Sequence, residues 1–186
     1  MIVRKAELAD LPYIIDLSKK ESHALGFIPK MAYSSAITGI KTGKRWSNIC
    51  NDKLFVITEN DDLVGFCLAS FGKINAGVKL GKIAQICLQE DARLLARGAA
   101  LLKCVIDYGK TVRTFDWACG CADDLLSNLF WASMGWVKTG QRKGKSHKNT
   151  WRQTSDRLIN TYMYAPCDLF ISNKEIMTER LSLIHI

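Results

Sequence analysis

A change of pattern in residues 86–109, ICLQEDARLLARGAALLKCVIDYG, limits how this chain can fold more than any other feature. An apolar segment stops at Gln89, a short stretch with two arginines follows, and a long apolar segment then begins with a glycine and alanines. The first N–H groups of a helix have no partner within it, and the aligned peptide dipoles place about half a positive charge there. The pattern therefore predicts a strand, a turn and a helix whose bare first turn can bind an anion.

The composition is that of one folded domain. The chain has 186 residues, of which 48% are hydrophobic, and this is enough for a substantial core. Charges stand near the N-terminus where a signal peptide needs apolar residues, and no apolar run approaches about 18 residues. We therefore expect a cytoplasmic protein without membrane contact. The formal net charge of +8 favours anionic partners, and it does not choose between a phosphorylated cofactor, nucleic acid and an acidic protein.

The cysteines indicate a reducing environment. Their number, 7, is odd, and most lie within apolar segments, so we interpret them as reduced core thiols. Cys119 and Cys121 are separated by one residue, whereas zinc-binding pairs usually have about two to four between them. We therefore expect no metal site.

Hydrophobic periodicity predicts the order β-αα-βββ-α-β-α-ββ. The first predicted elements are a strand at 2–6, helices at 7–26 and 30–44, a hairpin around Asn60-Asp61-Asp62 and a strand at 78–89. They are followed by a helix at 94–108, a strand at 114–121, a helix at 123–136 and two final strands around a basic segment at 141–157. The helix at 123–136 is expected to bury Leu126, Leu129 and Phe130. Because three strands meander before the crossover helix, we expect an α+β fold with a mixed, mostly antiparallel central sheet flanked by helices.

The turn before the third long helix carries a recognisable motif. Residues 93–98, RLLARG, resemble the [Gln/Arg]-x-x-Gly-x-[Gly/Ala] pyrophosphate loop of the GNAT superfamily of acyl-CoA-dependent N-acyltransferases. Ala96 stands where the first glycine is expected, and we expect it to permit phosphate binding if its φ is negative. The same letters also fit an ordinary Ala- and Leu-rich helix start. The resemblance implies that acetyl-CoA is held by the following residues: Arg93, Leu94, Ala96, Arg97, Gly98 and Ala99.

A second place also resembles the superfamily, and the likeness extends over roughly residues 1–164. In the family an asparagine and a small residue begin the next helix, and an aromatic residue precedes a Gly-aromatic pair by four positions. Asp124, Ser127 and Trp131 occupy these positions here, so the resemblance implies that they too bind the cofactor. Trp131 and Trp136 fit equally well as large core aromatics.

The resemblance implies direct attack of an amine on the acetyl thioester, aligned by the backbone of Ile86, Cys87 and Leu88. Cys87 lies in an apolar strand with no histidine near it in sequence, so we interpret it as structural. An amine with a pKa of about 10.4 is only about one part in 10³ neutral at pH 7, so the reaction needs a base.

Five residues are candidates for proton transfer. The general base is sought among Gln85 and Glu90 at the strand and its end, and Asp116 on the next strand. Because Trp131 replaces the tyrosine usual in the family, Tyr162 or Tyr164 is the candidate proton donor.

Three functions remain open at this stage. The first is an N-acetyltransferase acting on a small-molecule or protein amine. The second, suggested by the charge and the basic segment 141–157, acetylates an aminoacyl-tRNA, and we favour it less. The third is a catalytically inactive binding module, suggested by Ala96 and Trp131. Neither the acceptor nor the oligomeric state can be inferred from the sequence.

The end of the chain lies outside the resemblance. We expect a domain over residues 1–164 and an extension over 165–180. The final LSLIHI, residues 181–186, looks like the translation of a sequencing adapter, so we expect it to be non-native.

Overall fold

The computed structural model describes residues 1–40, 51–75, 78–93, 96–144 and 157–165. Within these ranges seven strands form a mixed sheet in the order β1-β2-β3-β4-β5-β7-β6. The strands are β1 Ile2–Lys5, β2 Asp52–Glu59, β3 Asp62–Asn75, β4 Val78–Leu88, β5 Asp116–Ala122, β6 Val137–Lys143 and β7 Leu158–Tyr164. Strands β1 to β4 pair antiparallel, as do β6 and β7, whereas β4 and β5 run parallel. The predicted fold class is confirmed.

The helices follow the predicted order, with one helix divided. They are α1 Leu11–Lys20, α2 Ser22–Leu25, α3 Lys30–Thr38, α4 Arg97–Thr111 and α5 Ser127–Ser133. The single helix predicted at 7–26 is a 3-10 turn, then α1, then α2, because the chain leaves helical geometry at Glu21 (φ −94°, ψ 16°). Helix α3 begins after Pro29 as predicted, and it ends at Gly39, whose φ of +73° is left-handed. Residues 41–44 of that prediction lie outside the described residues.

The chain divides into two compact units, which are Met1–Gly120 and Cys121–Ile186. The first contains α1 to α4, β1 to β4 and most of β5, and the second contains α5 and the β6–β7 hairpin. Among the helices of the described residues, none is long and apolar enough to cross a membrane.

The core of the first unit lies where α1 and α3 pack on β2, β3 and β4. Ile14 and Phe66 are fully buried, and Tyr33 is 1% exposed with its ring edge-on to that of Phe66. This burial follows the apolar stripe of α1 and the apolar alternation of the strands.

The turn between β2 and β3 confirms the hairpin predicted from the Asn-Asp-Asp sequence. Asn60 and Asp61 both have positive φ, 50° and 67°. Positive φ at both central residues is the signature of the type I′ turn, whose twist matches that of the paired strands.

The second unit corrects one prediction about α5. Leu126 and Leu129, which we expected to be buried, are 85% and 70% exposed. The helix is only two turns long with Leu126 outside its first turn, and its buried residue is Trp131, 4.8 Å from the ring of Trp136. A single large aromatic side chain therefore supplies the packing that the leucine stripe was expected to provide.

Candidate active site

Within the residues that the structure describes, the C-terminal part of β4 is open along one edge. Its parallel pairing with β5 runs from Leu80 opposite Asp116 to Ile83 opposite Cys119, and no described residue continues it. On its other side, β4 stays paired with β3 as far as Leu88 opposite Gly65. The register with β3 also skips Ala84, which marks a bulge. Backbone groups in the last residues of β4 are thus available on the β5 side for an extended ligand that contains amides.

Directly after β4 the chain makes a tight turn. The N–H of Gln89 donates to the carbonyl of Val64 at 2.9 Å, and a 3-10 turn follows at Glu90–Ala92. Residues 94–95 lie outside the described residues, and so does the predicted cofactor contact of Leu94. The chain is described again at Ala96, directly before α4.

Ala96 has the left-handed conformation, with φ 57° and ψ 2°. The negative φ on which we made phosphate binding conditional is therefore not the conformation of Ala96. A left-handed residue lets the chain turn from the loop into the helix, and glycine is the usual occupant because other residues pay about 1–2 kcal/mol there. Position 96 therefore has a backbone conformation that favours glycine, the residue that the motif places there, although the residue is alanine.

The first turn of α4 carries backbone donors that have no acceptor among the described residues. No side chain caps the helix, and its first turn closes with the bond from the N–H of Ala100 to the carbonyl of Ala96, at 3.0 Å. The N–H groups of Arg97, Gly98 and Ala99 come before this bond and have no acceptor within the helix. Small side chains at 98 and 99 leave these groups accessible, so this end of a 15-residue helix can accept an anion.

Both loop arginines form ion pairs with glutamates. Arg93 Nη2 lies 2.8 Å from Glu21 Oε2, and its Nε donates to the carbonyl of Leu88 at 3.3 Å. Arg97 pairs with Glu59 at the end of β2, and its Nη1 donates to the carbonyl of Ala92 at 3.4 Å. The side chain of Arg97 is 12% exposed and that of Arg93 is 44% exposed. Both side chains therefore fix the shape of the loop, and Arg93 has more access to a ligand.

Cys87, on the open part of β4, is 6% exposed. Burial, aided by the nearby carboxylate of Glu21 and opposed by Arg93, raises the pKa of its thiol to about 12. A thiol of this kind is almost entirely protonated at neutral pH, which agrees with a structural role.

The three proposed bases, Gln85, Glu90 and Asp116, all lie in the first unit and do not come together. Gln85 is 3% exposed, and both ends of its amide form hydrogen bonds. Asp116 pairs with Leu80, eight residues before the end of β4, which is roughly 26 Å along a strand that rises about 3.3 Å per residue. Asp116 is thus at the opposite end of the strand from Glu90. Gln85 lies within the open part of β4 but is buried, whereas Glu90 lies on the turn directly after β4 and is exposed.

A cavity of about 690 Å³ lies beside this turn. One face of α1 and the turn after β4 line it, with these residues: Tyr13, Asp16, Leu17, Lys20, Gln89, Glu90 and Asp91. Burial raises the pKa of Tyr13 to about 12. The phenol therefore stays protonated at neutral pH, while the acidic residues make the cavity attractive to a cation.

In the second unit, the three residues predicted to bind the cofactor have partners within that unit. Asp124 accepts from Nε of Arg157 at 2.8 Å, which holds the pKa of this exposed carboxyl below its usual value. Ser127 Oγ lies 3.1 Å from Cys121 Sγ, and Trp131 is 4% exposed. Their contacts with a cofactor stay predictions.

Asn128 is a residue that the sequence reasoning missed. Its Nδ2 donates to the carbonyls of Ala122 and Leu125 at 2.8 and 2.6 Å. Its Oδ1 accepts from Asn160 Nδ2 and from the Tyr162 hydroxyl, each at 2.9 Å. Tyr162, our candidate proton donor, is 5% exposed and uses its proton in this bond. An asparagine in the first turn of a helix was the available signal, because this residue type caps helices and turns.

No protein-family model and no curated protein matches the sequence. Solved structures do match the fold of this chain. Arabidopsis thaliana NAA60 in complex with a bisubstrate analogue has a TM-score of 0.67 at 11% identity, covering 88% of this chain and 97% of that one. The Escherichia coli ribosomal-protein-S18-alanine N-acetyltransferase has a TM-score of 0.62 at 14% identity, covering 88% and 92%. A Desulfovibrio desulfuricans protein assigned to the GNAT family of acetyltransferases has a TM-score of 0.65 at 13% identity, covering 88% and 98%.

Each of these three matches covers 88% of this chain, with TM-scores of 0.62 to 0.67. The chain therefore has the fold of the GNAT acetyltransferases. The resemblance found in the sequence is confirmed at the level of the fold.

Proposed function

We propose that this protein is an N-acetyltransferase that transfers an acetyl group from acetyl-CoA to a primary amine. One observation carries the proposal: the open end of β4, at Leu88, is followed nine positions along the chain by the uncapped N-terminus of α4 at Arg97. A ligand with amides at one end and phosphates at the other matches this path. Acetyl-CoA is such a ligand, and it supplies an acetyl group activated as a thioester.

The residues that would hold acetyl-CoA follow from this path. The backbone of Ile86, Cys87 and Leu88 would pair with the pantetheine amides along the open edge. The N–H groups of Arg97, Gly98 and Ala99 would bind the pyrophosphate, helped by the positive end of the helix dipole. Arg93 would add charge-assisted hydrogen bonds from the more exposed side of the loop. Each of these groups lies in the first unit.

The chemistry required of the protein is proton removal and stabilisation of negative charge. An amine that attacks the thioester carbonyl must first be neutral, and Glu90 is the group that we propose as its base, through a bound water. A backbone N–H at the end of β4 would stabilise the oxygen as it gains negative charge. Departure of the thiolate needs little help, since a thiol pKa of about 8.5 makes it a fair leaving group.

The acceptor is proposed only as an amine. The Escherichia coli structure is named for an alanine of a ribosomal protein. The carboxylates of Asp16, Glu90 and Asp91 around the cavity favour an acceptor that arrives as a cation. Acetylation of an aminoacyl-tRNA gains no support from the described residues, because residues 145–156 of the basic segment lie outside them.

The proposal is tested by release of the CoA thiol from acetyl-CoA in the presence of amines. The panel contains alaninamide, a lysine side-chain analogue and spermidine, and mass spectrometry identifies the acetylated product. We expect amine-dependent thiol release that falls at least tenfold in the Glu90→Gln variant, which keeps the size of the side chain. Acetyl-CoA binding without transfer to any amine would instead indicate a binding module.

A further inference from the structure

The side chain of Gln85 joins four elements of the first unit. Its Oε1 accepts a hydrogen bond from the hydroxyl of Tyr33 on α3 at 2.6 Å, and that hydroxyl lies 2.7 Å from Oγ of Ser18 on α1. Its Nε2 donates to the carbonyls of Leu25 and Gly26, at 3.3 and 3.4 Å. Gln85, Tyr33 and Ser18 are 3%, 1% and 7% exposed. A buried polar group with every partner in place holds its surroundings in one arrangement.

The Gln85 amide can satisfy these partners in one orientation only. If its oxygen and nitrogen exchanged places, Oε1 would face two carbonyl oxygens, and these have no proton to donate. A glutamate at this position would have the same defect while ionised. The residue therefore has to supply an acceptor to α3 and a donor to the end of α2.

The groups held by Nε2 are the final carbonyls of a very short helix. Helix α2 has four residues, and its C-cap Gly26 has φ +70°. So short a helix has little stability of its own, and its last carbonyls have no partner within it. Directly after Gly26 comes Phe27, 73% exposed, in the connection to α3. The position of this connection relative to β4 thus depends on the bond from Gln85.

We propose that Gln85 is a positioning residue that fixes the connection between α2 and α3 against the strand that aligns the acetyl donor. Gln85 lies on β4 and immediately precedes residues 86–88, which would align acetyl-CoA. The residue that orders the connection therefore belongs to the strand that holds the acetyl donor. This inference rests on the proposed function. On this proposal the connection, which Gln85 holds against β4, forms a wall beside the acetyl group and sets the direction from which the amine approaches. Because transfer rates depend steeply on the placement of the reactants, a loosened wall slows transfer without weakening acetyl-CoA binding.

The first measurement is hydrogen exchange of the backbone amides of Ala24, Leu25 and Gly26. The amides of Ala24 and Leu25 donate to the carbonyl of Glu21, and the amide of Gly26 donates to the carbonyl of Ser22. In the Gln85→Met variant, which keeps the size but loses both polar groups, we expect their protection to fall about tenfold or more while that of β3 is retained. Tyr33→Phe is the matched control. It removes the bond to Oε1 and leaves both bonds from Nε2, so it lowers overall stability without this local loss.

The Gln85→Glu variant provides a rescue that a general loss of stability does not show. At neutral pH its ionised carboxyl cannot donate to the Gly26 carbonyl, and local protection falls. Burial raises the pKa of such a carboxyl above about 4.3, and its protonated form again has one donor and one acceptor. Protection, corrected for intrinsic exchange, then returns as the pH is lowered. Retained protection in Gln85→Met, or an equal loss throughout the unit, would overturn the proposal.

Acetyl transfer to alaninamide gives the kinetic test. For Gln85→Met we expect an unchanged Kd for acetyl-CoA, within twofold, and a kcat/KM for the amine that is lower by about tenfold or more. A parallel rise in the Kd for acetyl-CoA would show that the residue supports the donor site instead. If the unsubstituted protein neither binds nor turns over acetyl-CoA, the proposed function fails, and hydrogen exchange still decides whether Gln85 holds α2.

Discussion

A Cβ atom placed on Gly109 would lie 2.3 Å from Cζ2 of Trp117. The Trp117 indole is fully buried on β5, with its ring edge-on to Phe71 at 5.3 Å between centroids. On its other side, a Cβ on Gly81 of β4 would lie 2.5 Å from the same indole. Two glycines therefore create the slot in which α4 and the sheet enclose the tryptophan.

Gly109→Ala should destabilise the protein by about 1–3 kcal/mol, although alanine favours helices, because overpacking the slot outweighs the gain in helix propensity. Urea denaturation followed by tryptophan fluorescence measures the effect. Gly140→Ala is the control, since nothing lies within 4 Å of a Cβ at Gly140. A Gly109→Ala protein as stable as this control would show that α4 moves freely away from Trp117.

Ala96→Gly should stabilise the protein by about 0.5–1 kcal/mol, because glycine adopts the left-handed conformation without the penalty that alanine pays. Ala99→Gly is the matched comparison: it lies inside α4, where the same change should destabilise by a similar amount. Chemical denaturation of the two variants reports both signs. Loss of stability in each would mean that Ala96 does not have the left-handed conformation.

The free energy of unfolding should rise less in Asp10→Asn than in the unsubstituted protein as the pH is raised from strongly acidic values. A hydrogen bond from Arg4, at 2.7 Å, holds the pKa of the Asp10 carboxyl below its usual value. The unfolded chain therefore binds this proton more readily. The stabilisation is complete above about pH 4 and is lost as the pH falls through the lower folded-state pKa.

Thermal unfolding between pH 2 and 6 measures this dependence. Asp16→Asn, whose carboxyl is 80% exposed, serves as the control. If the acid limbs of Asp10→Asn and the unsubstituted protein coincide, the ion pair with Arg4 does not persist in solution.

Cys87→Ala should retain acetyl-CoA turnover within a few fold, because the buried thiol has no thiolate to attack the thioester. Thiol release in the presence of alaninamide measures turnover, and mass spectrometry checks for an acetylated protein. A hundredfold loss of turnover in Cys87→Ala, together with an acetyl group on Cys87 of the unsubstituted protein, would establish a covalent mechanism in place of direct attack.

The sequence was informative where local rules decide the structure. The boundary between β4 and α4 was predicted from an apolar run that gives way to small residues, and the β2–β3 turn from Asn60 and Asp61. Long-range partners carry no such signal. The pairing of Arg97 with Glu59 joins residues 38 positions apart, and the bond from Tyr33 to Gln85 joins residues 52 apart. Each depends on how the helices pack on the sheet.

Two features could not be deduced from the sequence, for specific physical reasons. Alanine at position 96 has no intrinsic preference for positive φ, so its left-handed conformation does not follow from the residue type and is imposed by the turn into α4. In α5 the spacing of Leu126 and Leu129 suggested a buried stripe, but a short helix needs few buried positions, and Trp131 provides the main one.

The central claim is that the uncapped first turn of α4 binds the phosphates of acetyl-CoA, and calorimetric titration of Ala99→Glu and Ala99→Gln with acetyl-CoA tests it most directly. Glutamate and glutamine side chains have the same size, and the helix dipole stabilises a carboxylate in the first turn, so both variants should fold. We predict measurable binding by the unsubstituted protein, weaker binding by Ala99→Gln, and a further loss of at least tenfold in Ala99→Glu from repulsion of the phosphates. Equal affinities in all three proteins, or no binding by the unsubstituted protein, would contradict the account.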